Sequence, residues 1–197
     1  MGRPTSHVAY GEDVAILAGD GLFAEAIRLF CQCQGGEPGR VLAALGELAA
    51  ATGVGGMVGG QYRDVTAGSS LDAEQLRELH SLKTGRLIAA SVTAPLVLAG
   101  LDEAATMPYR GFAEELGVLF QIVDDILDVT GSDEELGKPR GSDERHGKLT
   151  YVSLFGLERA RELAATSYAE ARRALEAIDR PTHDLKLVTE FIHSRHT

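Results

Sequence analysis

Phe120-Gln121-Ile122-Val123-Asp124-Asp125-Ile126-Leu127-Asp128 decides how the rest of this 197-residue chain is read. The run sets three carboxylates and one amide inside an otherwise apolar stretch. At ~3.6 residues per turn, Gln121, Asp124, Asp125 and Asp128 fall at i, i+3, i+4 and i+7 and form one stripe of a helix. Phe120, Val123 and Leu127 point elsewhere, toward a core. Burying acidic groups is costly unless a cation or hydrogen bonds compensate them, so the stripe suggests a divalent metal. Carboxylate oxygens suit Mg²⁺, which keeps much of its water and binds one or two carboxylates together with substrate phosphates. The implied ligand is a diphosphate. A solvated acidic helix face is the competing reading of such spacing. Gln121 and the cations that follow at Lys138, Arg140, Arg145 and Lys148 weigh toward the metal and its phosphates.

Outward from this run, the apolar pattern is helical almost everywhere. The acidic stripe sits on a helix ending near Val129, with Pro108 fitting its first turn. Upstream, Asp72 and Gln75 have the spacing of a capping box and open a helix to about Ala99, in which Pro95 predicts a kink or break. On that helix His80, Lys83, Thr84 and Leu87 share one face, where polar surface gives way to apolar surface. Residues 12 to about 33 form a helix with a broad apolar face, and a further helix from about Arg40 is loosened by glycines at 53, 55, 56, 59 and 60. Gln61 and Asp64 follow that bend and read by themselves as a solvated helix end. Gly46, Gly59, Gly60, Gly85 and Gly117 lie inside helical patterns, where each costs up to ~1 kcal/mol against Ala, and suggest close helix packing or backbone approach to a ligand. The polar segment 131–147 reads as a long surface loop, a candidate lid. One long helix is expected from about Leu149 to Ile178 and a last one over about 183–195. No stretch alternates with the period of a strand, so the fold class is all-α, a single domain over 1–197.

Nineteen basic against 29 acidic residues give a net charge of −10, which argues against a general affinity for nucleic acid or anionic membrane. Any phosphate site must be local. Cys31 and Cys33, the two cysteines, point in different directions on a helix and have no second pair to complete a zinc site. No apolar run approaches the ~20 residues of a membrane span, and the N-terminus lacks the features of a secretory signal. A cytoplasmic protein with reduced thiols is expected.

The acidic run, followed by Gly137-Lys138-Pro139 and Gly147-Lys148-Leu149-Thr150-Tyr151, closely resembles the second aspartate-rich region of the trans-isoprenyl diphosphate synthases, the polyprenyl synthetase family. Gly59-Gly60-Gln61 with Asp64, and His80-Ser81-Leu82-Lys83-Thr84-Gly85, fit the same family. The opening Gly2-Arg3-Pro4-Thr5-Ser6-His7, with Gly11-Glu12-Asp13 and Ala18-Gly19-Asp20, resembles the segment just after that family's first aspartate-rich region. The resemblance covers essentially the whole chain. It implies an isoprenoid synthase-type helical bundle, truncated at its N-terminus. The first aspartate-rich motif, the arginine pair after it and the basic residues for isopentenyl diphosphate are expected to be missing.

By position, the resemblance makes Asp124 the direct ligand of Mg²⁺, with Asp125 and Asp128 its partners. Lys83 and Lys138 become contacts to the allylic diphosphate, and Gln61 and Asp64 support the polar end of the cavity. Phe120, Thr84 and Gln121 line the reacting end, the latter two as oxygen dipoles near developing positive charge, so that Lys83, Thr84 and Gln121 are the catalytic candidates. The implied reaction condenses isopentenyl diphosphate with an allylic diphosphate to a short-chain product, farnesyl or geranylgeranyl, as in bacterial short-chain synthases. A homodimer, or pairing with a synthase subunit, goes with it. With one of two aspartate-rich helices, the chain alone is expected not to turn over. A non-catalytic subunit that binds a full synthase is the alternative.

Overall fold

The computed structural model describes residues 3–66, 71–131 and 148–195. Among these every regular element is helical: α1 (Ser6–Tyr10), α2 (Glu12–Cys33), α3 (Pro38–Thr52), α4 (Met57–Thr66), α5 (Ala73–His80), a π-helical segment (Ser81–Gly85), α6 (Arg86–Leu98), α7 (Glu103–Thr130), α8 (Tyr151–Phe155), α9 (Leu157–Glu176) and α10 (His183–Ser194).

The fold is built around α7, and its sequence explains why. Phe112, Leu116, Leu119, Ile122, Val123 and Ile126 recur at helical spacing and are all buried. Each contributes about 1.5–3 kcal/mol by leaving water. Asp102 caps the start, accepting a hydrogen bond from the Ala105 amide at 2.8 Å. Against this face lies α9, whose buried stripe is Ala160, Ala164, Ser167, Ala171 and Leu175. Small residues at that spacing let the two helices approach closely. Leu76 of α5, Tyr151 of α8 and Ile192 of α10 complete the core.

Several sequence expectations are met in place. The helix over 12–33 is α2 to the residue. Asp72 and Gln75 form the full capping box, with both reciprocal bonds at 2.9 Å.

Others need correction. The helix does not break at Pro95, because α6 continues to Leu98. Pro95 stands near its end, so few turns depend on the missing amide. Pro108 is interior to α7, which starts at Glu103 under the Asp102 cap, not in its first turn. The expected single helix from Leu149 to Ile178 is two, α8 and α9, separated at Gly156, whose φ of 80° takes it out of helical geometry. Segment Pro38–Thr66, taken as one stretch, has the length and apolar composition of a membrane-crossing helix, where the sequence had suggested none. It is two helices, α3 and α4, and its Glu47 pairs with Arg110 of α7.

Candidate diphosphate cleft

The cleft is assembled around the π-helical turn Ser81-Leu82-Lys83-Thr84-Gly85. Such wide turns inside longer helices are frequent at functional sites. Two glycines let neighbouring helices press onto it. A Cβ on Gly60 of α4 would lie 2.3 Å from the Lys83 nitrogen and 2.6 Å from its Cα. One on Gly117 of α7 would lie 3.0 Å from Gly85 Cα. The close packing expected of Gly60, Gly85 and Gly117 is therefore present, whereas Gly46 faces open space.

The approach at Gly60 has a chemical consequence one turn on. Asp64, four residues along the same face of α4, reaches Lys83, whose Nζ donates to Asp64 Oδ2 at 2.6 Å. Lys148 Nζ stands 3.6 Å from the same oxygen. Burial pushes the Asp64 carboxyl up, but the hydrogen bond and charge of Lys83, with Lys148 and His80 behind it, outweigh this and hold it below its ordinary value. From the next residue of the turn, Thr84 Oγ1 donates to Gln121 Oε1 of α7 at 2.9 Å.

The acidic stripe divides along its length. Asp124 is half-buried and lines the cleft. Asp125 also lines it but is buried, and its Oδ2 accepts the Tyr151 amide at 2.7 Å. That bond ties the start of α8 to α7. The turn entering α8 is further fixed by Thr150 and Ser153, which cap each other's backbone amides at 3.0 and 2.8 Å. Asp128 is buried and is not on the cleft wall. The structure thus brings Lys83, Thr84, Phe120, Gln121, Asp124 and Asp125 to one cleft of about 240 Å³, and leaves Asp128 a turn beyond it. Lys138 and the rest of the expected lid lie outside the described residues.

Sequence reasoning left three lining groups without a firm place: Asp64, His80 and Lys148. The signal for Asp64 was the Gly60-to-Asp64 spacing, which puts the small residue and the carboxylate on one helical face. Gln61, paired with Asp64 in the same expectation, is exposed and off the cleft wall.

Next to the cleft is a second, larger cavity of about 630 Å³, lined by Met57, Leu87, Ile88, Val92, Leu116 and residues of α10. Lys83, Thr84 and Phe120 belong to both cavities. The polar cleft and the apolar groove therefore adjoin at these three side chains.

Among the described residues no ready cluster of three or more metal-binding side chains exists. Asp124 and Asp125, with Lys83 and Lys148 lining the same cleft, suit a Mg²⁺ that arrives with phosphate oxygens. They do not form a closed cage.

Comparison with known proteins fits this architecture. Residues 2–193 match the family model described as polyprenyl synthetase. A chloroplastic geranylgeranyl pyrophosphate synthase of Capsicum annuum is 45% identical over 181 residues, 90% of this chain and 49% of that protein. A farnesyl diphosphate synthase of Geobacillus stearothermophilus is 39% identical over 197 residues, 98% of this chain and 66% of that protein. The crystal structure of a Helicobacter pylori geranyltransferase complexed with magnesium and isoprenyl diphosphate superposes with a TM-score of 0.86 at 34% identity, covering 98% of this chain and 63% of that one. The chain spans about half the length of the first curated relatives it matches. A helical bundle whose acidic run and Lys83-Thr84 turn line one cleft, matched by the family model over nearly its whole length, belongs to the polyprenyl synthetase family.

Proposed function

We propose that the protein takes part in short-chain trans-prenyl transfer, in which isopentenyl diphosphate is condensed with an allylic diphosphate to farnesyl or geranylgeranyl diphosphate. The observation that carries this reading is the junction at Lys83, Thr84 and Phe120 between the polar cleft and the apolar groove. A ligand with a diphosphate head and a hydrocarbon tail has that shape and polarity.

In this reading Asp124, with Asp125 and Asp128 behind it, holds Mg²⁺, and Lys83 and Lys138 bind the diphosphate. Lys83 supplies a compact positive charge for the leaving oxygens. Phe120 and the groove keep water from the allylic carbon as positive charge develops there. The Thr84–Gln121 hydrogen bond orients two oxygen dipoles at the junction, where they favour that charge. The exposed free thiols of Cys31 and Cys33 suit a reducing, cytoplasmic setting.

A second reading, a non-catalytic subunit that binds a synthase, draws on a different observation. None of the 22 residues of α2 is buried, and Leu22 and Phe23 are 73% and 54% exposed. Such a face suits a homodimer or a paired subunit equally.

Calorimetry with geranyl diphosphate and inorganic diphosphate, each with and without Mg²⁺, tests the proposal. Both should require Mg²⁺, with geranyl diphosphate the tighter because its tail enters the groove. Equal affinity without the metal, or no loss on Asp124→Ala, would overturn it.

A further inference from the structure

The Asp64 carboxylate already engages Lys83, the lysine that the diphosphate reading of the cleft assigns to the ligand. It is held by Lys83 at 2.6 Å and lies 3.6 Å from Lys148. Its side chain is only 15% exposed and that of Lys83 27%, so the pair is poorly screened by solvent. The arrangement is built into the backbone, since the close approach of Gly60 to Lys83 fixes α4 against the π-helical turn. Among the described lining groups, Lys83 and Lys148 face three carboxylates, Asp64, Asp124 and Asp125, with His80 beside them. A diphosphate without a metal meets a wall whose lysines are already answered and whose net charge has its own sign.

We propose that Asp64 is a positioning residue that makes diphosphate binding conditional on Mg²⁺. This rests on reading the cleft as a diphosphate site. Asp64 occupies Lys83 until a ligand arrives whose charge is already reduced by the metal. Lys83 then turns from the carboxylate to the phosphate, and Asp64 keeps its approach in register. Without Asp64, Lys83 would attract diphosphate alone and hold it in an unproductive, metal-free complex. No covalent step is involved; the effect is on which complex forms.

The test is calorimetry with inorganic diphosphate as the probe, in EDTA and in excess Mg²⁺, on the wild-type chain and on Asp64→Asn. The amide keeps the shape of the carboxylate and can still accept a hydrogen bond. Asp64→Asn should bind diphosphate in EDTA on the order of tenfold more tightly than wild type, because a like charge beside the ligand has been removed. Adding Lys83→Ala to Asp64→Asn should cancel the gain, which a merely structural role for Asp64 would not produce. Asp64→Ser, smaller and also neutral, repeats the test if the asparagine variant loses its helical circular dichroism. If wild type binds diphosphate with Mg²⁺ but neither neutral variant gains metal-free affinity, Asp64 does not set the metal requirement and the inference is wrong. If wild type binds no diphosphate even with Mg²⁺, the reading of the cleft falls as well.

Discussion

Helices α2 and α7 are both long and both apolar along one side, yet they end in opposite environments. Helix α7 buries six large apolar side chains and carries the cleft's Gln121, Asp124 and Asp125. Helix α2 buries nothing, and Val14, Ile16, Leu17, Leu22 and Phe23 all stand in solvent. The difference lies in what packs on them. Helix α7 meets α5, α6, α8, α9 and α10, whereas α2 touches little beyond α1 and the start of α3. Periodicity specifies that a helix forms and which side is apolar; burial depends on a second surface.

The comparison breaks first at the core. Phe112→Ala should destabilise the chain by roughly 3–5 kcal/mol, the range for emptying an aromatic site in a packed interior, as measured by urea unfolding. Next is the contact that joins scaffold to site. Gly60→Ala puts a methyl 2.3 Å from the Lys83 nitrogen and should cost about 1–3 kcal/mol, with a further loss of Mg²⁺-diphosphate affinity as Asp64 and Lys83 separate. A stable Gly60→Ala chain with unchanged affinity would show that α4 does not position the cleft. Smallest is the effect on α2, where Leu22→Ala should change stability by less than about 0.5 kcal/mol. A larger cost would mean that α2 is covered in solution, by a second copy or another partner.

The same contrast marks how far the sequence could be read. The all-α class, the extent of α2, the capping box at Asp72 and Gln75, and the helix bearing the acidic run all follow from short-range rules. The acidic run stood out as a candidate site because buried carboxylates are costly, whereas Lys83-Thr84-Gly85 stood out through its resemblance to a family block, since a lone lysine there reads as an ordinary snorkelling residue. The π-helical turn was not legible. It spans only five residues, Ser81–Gly85, too short a run for an apolar period to distinguish it from the helix around it. Pro108 misled because a proline that suits a first turn also survives where tertiary packing holds the helix. Asp128 shares a stripe with Asp124, but α7 is covered by neighbours at that level, and spacing along one helix cannot report what lies across from it.

The claim that Asp124 and its neighbours form a metal-diphosphate site independent of α2 is tested most directly by ³¹P NMR of geranyl diphosphate with Mn²⁺ in place of Mg²⁺. Protein-dependent paramagnetic broadening of both phosphorus signals is expected for wild type and Leu22→Ala, and should be largely lost in Asp124→Ala. Undiminished broadening in Asp124→Ala, or its loss in Leu22→Ala, would contradict the claim.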